Sequence, residues 1–250
     1  MTPAAGIQEQ LNARLRRPST THSVRSSLPV LFFGDLFGAE VVTVGLNPSQ
    51  QEYLTPSGEL LVGGAQRFAT LESLEASKRE SLTEEQCREA VRRMREYYAP
   101  GRPVYRWFIG LERVLGGFGA SLAGRTAAHL DLVQESTSPV WSGLSVGARE
   151  ELLRSDLPFL RWEIESFPLR AVVCTSKTVS DHVRRLLEVE IEDNGELARV
   201  RWWTGRAAID GRGVGVCGWN LPLARPTGLG ATGEHELGQL LAERLEALAA

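Results

Sequence analysis

Lysine is almost missing from this chain: Lys78 and Lys177 are the only two, and 26 of the 28 basic residues are arginine. The formal net charge is −3, so there is no global positive excess to recruit a polyanion, and any phosphate-gripping surface has to be local. Cysteine is scarce as well. Cys87, Cys174 and Cys217 stand far apart and form no CxxC pair, which argues against a disulfide framework and against a four-cysteine metal or iron–sulfur centre. The four histidines, His22, His129, His182 and His235, have no ligand spacing among themselves or with the cysteines, so no metal is expected. No apolar run approaches the roughly 18 residues of a membrane helix. The start, Met1-Thr-Pro-Ala-Ala-Gly-Ile-Gln, lacks the basic and apolar stretches of a secretory signal. The expectation is a cytoplasmic protein without membrane contact.

What remains is ordinary globular material, 42% hydrophobic and 24% charged. A chain of 250 residues can bury a full core as one unit. No repeat or linker divides it, so residues 1–250 read as a single domain, with residues 1–28 as a peripheral N-terminal helix and loop. Arginine clusters occur at Arg88–Arg95, at Arg102 and Arg106, and at Arg199–Arg206. Glu84, Glu85, Glu89 and Glu96 interleave with the first, which marks a solvated helix face rather than a phosphate track.

Hydrophobic periodicity alternates between strand and helix. Strands are expected at residues 30–33, 40–46, 127–133, 170–174 and 214–219. Helices are expected at residues 7–17, from 81 to about 98, at 105–118, 179–187 and about 234–248. Another helical stretch spans 145–167, interrupted near Pro158. Residues 189–191 and 200–203 are expected to pair around the turn signal Asp193-Asn194-Gly195. Short strands with helical crossovers imply a three-layer αβα fold with a mainly parallel central sheet. Ligands on such sheets sit at the carboxyl ends of strands. That rule selects Asn47-Pro48-Ser49, the segment after Val133, and the turn after Trp219.

At the first place, Val41-Val-Thr-Val-Gly-Leu-Asn-Pro-Ser49, a buried strand carries an amide to its tip and proline stops the ladder. An asparagine can hold a water without bringing charge. At the third, Gly218-Trp-Asn-Leu-Pro-Leu-Ala-Arg-Pro-Thr-Gly-Leu-Gly230, Pro226, Gly228 and Gly230 shape a tight turn with Leu229 at its tip and Arg225 beside it. Read alone, both also suit plain strand-to-loop junctions. Gly119-Ala-Ser-Leu-Ala-Gly-Arg-Thr126 nearly spells a phosphate loop, but follows a helix and opens a strand, the wrong context. Ser176 and Ser180 lack a well-placed base. Trp107, Trp141, Trp202 and Trp203 could stack on single-stranded nucleic acid, although core packing explains them more simply.

Val-Gly-Leu-Asn-Pro-Ser with the later Pro-Thr-Gly-Leu turn resembles the two motifs of the uracil-DNA glycosylase superfamily, closest to its mismatch-specific and single-strand-selective branches. His129-Leu-Asp-Leu-Val-Gln-Glu-Ser-Thr-Ser-Pro139 is similar to that superfamily's central strand and base-pocket loop. The resemblance implies a uracil-DNA glycosylase-like fold and an N-glycosylase acting on a deaminated or damaged base of uracil type in DNA, by base flipping and water attack. By the same resemblance Asn47 would hold the water. Gly45, Leu46, Pro48, Ser49, Asp131 and Gln134 would line the base pocket, with Tyr53 or Phe68 stacking on the base. Arg225, Pro226, Thr227 and Gly228 would meet the DNA backbone and Leu229 would wedge it open. DNA would be the partner of a monomer, with no cofactor. Ser49 departs from the motif's glycine, and Ala224-Arg225 stands where asparagine or histidine is expected. These departures imply the alternative of a catalytically altered or inactive member that binds nucleic acid or a nucleotide without excising uracil.

Overall fold

The computed structural model describes residues 3–223 and 227–248. Helix α1 (Pro3–Leu15) leads into strand β1 (Val41–Gly45), every residue of which is buried. Helices α2 (Glu84–Arg95) and α3 (Phe108–Gly117) follow, then strand β2 (Ala127–Asp131), helix α4 (Val146–Ser166), strand β3 (Ala171–Cys174) and helix α5 (Lys177–Leu186). Strands β4 (Asp193–Leu197), β5 (Val200–Ile209) and β6 (Arg212–Trp219) precede the last helix, α6 (Gly230–Ala247).

The six strands form one open sheet in the order β2-β1-β3-β6-β5-β4. The first four are mutually parallel, and β5 and β4 add antiparallel strands at one side. Buried on both faces, β3 (AVVC) is a continuous apolar run and β1 (VVTVG) is interrupted only by Thr43, as suits parallel strands between helical layers. The layering can be read from two glycines of β6. A Cβ on Gly218 would press on Ser180 of α5, whereas one on Gly215, on the other pleat face, would press on Leu245 of α6. Helices therefore cover both sides, the αβα organisation expected. No helix among the described residues is long and apolar enough to cross a membrane.

Several elements differ from the periodicity reading. Residues 30–33 form no strand of the sheet. Phe33 makes one antiparallel bridge to His129, and Gly34, at φ 89°, turns the chain away before a ladder can grow. Helix α4 runs through Pro158 without a break. Its buried face, Asp156, Phe159, Leu160, Glu163 and Ile164, continues on both sides of the proline, and Arg17 donates to the Ser155 carbonyl three residues before it. Packing here outweighs the missing backbone donor. Asp193, Asn194 and Gly195 lie inside β4 rather than in a turn, and the reversal falls at Ala198, which sits at φ 53°. Gly195 serves cross-strand packing: a Cβ there would meet Trp202 Cζ2 at 2.7 Å. The first arginine cluster is a solvated face, with Arg92 paired to Glu89 and Glu96, and Arg93 to Glu89. The 119–126 segment does link α3 to β2, so it lacks phosphate-loop context.

Candidate active site

The carboxyl ends of the four parallel strands converge on a cleft of about 280 Å³. β1 ends in Gly45 and delivers Leu46, Asn47, Pro48 and Ser49 to it. β2 ends in Asp131, β3 is followed by Thr175 and Ser176, and Pro222 comes from the loop after β6. Phe33, Tyr105, Trp107 and Phe108 supply aromatic wall. The Trp107 and Phe108 rings stand 5.1 Å apart at 80°, and Phe108 lies 5.3 Å from the His129 ring, so the wall is a fixed edge-to-face array.

Asn47 is held by its amide nitrogen. Nδ2 lies 3.2 Å from the Glu135 carbonyl and 3.4 Å from Thr137 Oγ1, both on the segment after β2. Among the described residues nothing donates to Oδ1, which leaves an oriented acceptor at the tip of β1. The 135–137 segment is itself pinned from behind, because Arg79 donates to both carboxylate oxygens of Glu135 at 2.7 and 3.0 Å. Burial alone would raise the Glu135 carboxyl; the Arg79 hydrogen bonds and charge outweigh it and hold that group below its usual range.

Two more carboxyls reach the cleft. Asp131 is buried, with Oδ1 3.4 Å from His129 Nε2 and Oδ2 without any hydrogen-bond partner among the described residues. Burial pushes it up, against the smaller opposing effect of His129. His129 is fixed on its other side by Thr43 Oγ1, 2.7 Å from Nδ1, the two residues being register neighbours on β1 and β2. Gly45 is the glycine this arrangement requires, since a Cβ there would stand 2.8 Å from His129 Nε2 and closer still to Asp131 Oδ1. Glu52 sits one short turn beyond Ser49, which caps that turn by accepting from the Gln51 amide. Its Oε2 accepts from the Tyr97 hydroxyl at 2.9 Å and lies 3.7 Å from Arg67 Nε. Burial pushes Glu52 up to about 7, with Tyr97 and Arg67 opposing. Among the described residues no group of three or more potential ligands is placed to hold a metal ion.

The Glu52 shift has a measurable sign. Between the ordinary carboxyl value of 4.5 and about 7, the folded chain holds a proton the unfolded chain has released. Its contribution to stability is therefore complete below pH 4.5 and declines as pH rises through 7, by about 3 kcal/mol in all. Glu52→Gln cannot titrate. The variant should unfold at higher denaturant than the parent at pH 8 and show no such gain at pH 4.5; parallel pH–stability curves would contradict it.

The site residues expected from the sequence divide cleanly. Gly45, Leu46, Asn47, Pro48, Ser49 and Asp131 meet in the cleft. Tyr53 and Phe68 do not: both are buried in the core, where the Tyr53 hydroxyl donates to the Leu28 carbonyl and Phe68 stacks on Tyr97 at 5.1 Å. The aromatic side chains that do line the cleft are Phe33, Tyr105, Trp107 and Phe108. Gln134 is also withdrawn, its side chain bridging Arg14 and the Asp131 carbonyl behind the cleft. Arg225 and Pro226 lie outside the described residues. Thr227 is buried and its carbonyl accepts from the Arg199 amide, while Gly228 lies against Ala198 and Arg199 of the β4–β5 turn. Leu229 precedes α6 half-buried, packed on the core and against Gly233, rather than standing at the cleft. An amphiphilic turn in sequence does not reveal which way its apolar tip points; packing on the hairpin decides it.

Glu52, His129, Thr175 and Ser176 were not assigned to the site by the sequence reading. His129 and Asp131 carried a signal, two polar residues at alternate positions near the end of an otherwise apolar strand. Glu52 carried none, because a three-residue turn folds it back under the strand tips. No protein-family model matches the chain, and no curated protein matches it.

Proposed function

We propose that this chain is an N-glycosylase of uracil-DNA glycosylase type, which takes a deaminated or damaged base, turned out of a DNA strand, into the cleft and hydrolyses its bond to the sugar. The observation that carries the proposal is the state of Asn47: its Nδ2 is spent on the Glu135 carbonyl while the residue lines an aromatic-walled cleft of about 280 Å³. That volume lies at the small end of ligand pockets and suits one heterocycle rather than a longer molecule. Cleavage through an oxocarbenium-like sugar calls for a positioned water. Asn47 Oδ1 would accept from that water, and Glu52, raised to about 7, would receive its proton near neutral pH.

Oligonucleotides carrying uracil, hypoxanthine, xanthine or an alkylated base, as single and double strands, test this by alkali cleavage at the abasic product. Excision of at least one base supports the proposal; intact strands throughout, at enzyme excess, would refute it. Filter binding at several salt concentrations measures phosphate contact through the slope of affinity against salt.

A second reading is favoured by Leu229. A wedge packed against Gly233 and the core is poorly placed to part a duplex. It supports a single-stranded substrate, or binding of a nucleotide without excision. Comparable affinity for a free nucleotide and for a strand would favour this reading.

A further inference from the structure

The lining of the cleft is acidic, with Arg67 behind Glu52 at 3.7 Å and the His129 ring beside Asp131 at 3.4 Å. Two of the described residues that line it, Glu52 and Asp131, carry carboxyl groups, and none is a lysine or arginine. Asp131 is 3% exposed, lines the cavity, and has a carboxylate oxygen, Oδ2, that no group among the described residues meets. An acceptor left unmet in a cavity is free to take a donor from water or from a ligand. Around these acids stand Phe33, Tyr105, Trp107 and Phe108, whose ring faces attract positive charge.

We propose that the heterocycle this cleft takes is cationic: an N-alkylated purine or pyrimidine whose ring bears positive charge, with an N–H directed at Asp131 Oδ2. This inference rests on the glycosylase reading above and narrows it from a deaminated or damaged base to an alkylated one. The chemistry separates the two classes. When uracil leaves, the electron pair of the C1′–N bond becomes negative charge on the ring, which would develop beside two acids with no lysine or arginine in the described lining to receive it. When an alkylated base leaves, the same pair neutralises a ring that was already positive. Water oxygen bonds to C1′, its proton passes to the Glu52 carboxylate, and the base departs neutral, so atoms and charge balance. Ground-state binding of the cation uses the same groups. The carboxylates pair with it and the aromatic walls face it, where a neutral imide offers a hydrogen bond and stacking but no charge. The absence of basic residues in the described lining, otherwise a handicap for an enzyme of nucleic acid, suits this substrate.

The experiment has two arms. In the first, quenching of tryptophan fluorescence, to which Trp107 in the cleft wall contributes, measures binding of the cationic nucleosides 1-methyladenosine and 3-methylcytidine against neutral adenosine and cytidine. The expected result is at least about tenfold tighter binding of each cation than of its neutral counterpart. Asp131→Asn and Glu52→Gln should each shrink that ratio; unfolding transitions establish which variant is folded, and the folded one decides. In the second arm, strands carrying 3-methyladenine or 7-methylguanine should be excised at least about tenfold faster than strands carrying uracil. Uracil excised as fast as the alkylated bases, or equal binding of cations and neutral nucleosides, would overturn this inference and leave the glycosylase reading standing. Selective cation binding without excision of any base would do the reverse.

Discussion

Replacing Asn47 by alanine is expected to lower base excision by about a hundredfold to ten-thousandfold, the range over which positioned acid–base groups act. Folding should be little affected. The side chain contributes hydrogen bonds to the Glu135 carbonyl and Thr137, together worth about 1 kcal/mol net, because the group is only half-buried and water can replace them. The effect therefore falls on rate rather than on stability or on affinity for the strand. Asn47→Asp sharpens the test. The substituted oxygen would face the Glu135 carbonyl, so an acceptor would meet an acceptor and the carboxylate would swing away. A role as general base would let aspartate work; a role as an oriented neutral acceptor makes Asp as damaging as Ala. Single-turnover excision rates of the two variants distinguish these, and an unchanged rate in Asn47→Ala removes the residue from the mechanism.

The part of this site that could be read from sequence is the part that strands deliver. An apolar run closed by Asn-Pro ends at the bottom of a cleft because a buried parallel strand has only its tip to offer, and Gly45 and Asn47 follow from that, whereas Asp131 came only with the family resemblance. The loop after β6 was selected on the same ground, and Pro222 does line the cleft, but Thr227 and Leu229 of that loop pack elsewhere. Loop side chains were not readable, since their direction is set by partners distant in sequence. Tyr53 turns inward because the Leu28 carbonyl, 25 residues earlier, accepts its hydroxyl, and Phe68 because Tyr97 offers it a stacking face. The β4–β5 hairpin failed for a related reason. Asp193-Asn194-Gly195 has the composition of a turn, yet its glycine is used to let Trp202 lie across the strand. Local turn propensity is a weak prior where an aromatic ring competes for the same space.

The charge-bearing layer behind the cleft yields the largest expected change in stability. Arg79 and Glu135 are both buried to within 2% of full enclosure, and Arg79 also donates from Nε to the Ser27 carbonyl at 2.9 Å. One side chain thus ties the N-terminal segment to the loop that holds Asn47. Arg79→Ala leaves the Glu135 carboxylate enclosed, with Ser23 Oγ at 2.8 Å as its remaining direct hydrogen-bond donor among the described residues and Arg14 as a more distant charge. The expected cost is about 3–5 kcal/mol, a large share of the roughly 5–15 kcal/mol that domains possess. The loss should depend on pH in a definite direction. With Arg79 present, Glu135 ionises below its usual range and contributes stability above pH 4.5 that disappears as pH falls. Without Arg79, burial raises the carboxyl, which then takes up a proton and escapes the charge penalty. The deficit of Arg79→Ala relative to the parent should accordingly be largest near pH 7 and shrink toward pH 4. The double variant Arg79→Met with Glu135→Leu removes both charges and should recover most of the stability lost by the single one. Its excision rate should stay close to the parent's, because the Glu135 backbone carbonyl that engages Asn47 survives the substitution. A double variant that is stable but slow would show that the ion pair tunes the loop's position and is more than a fastening for it.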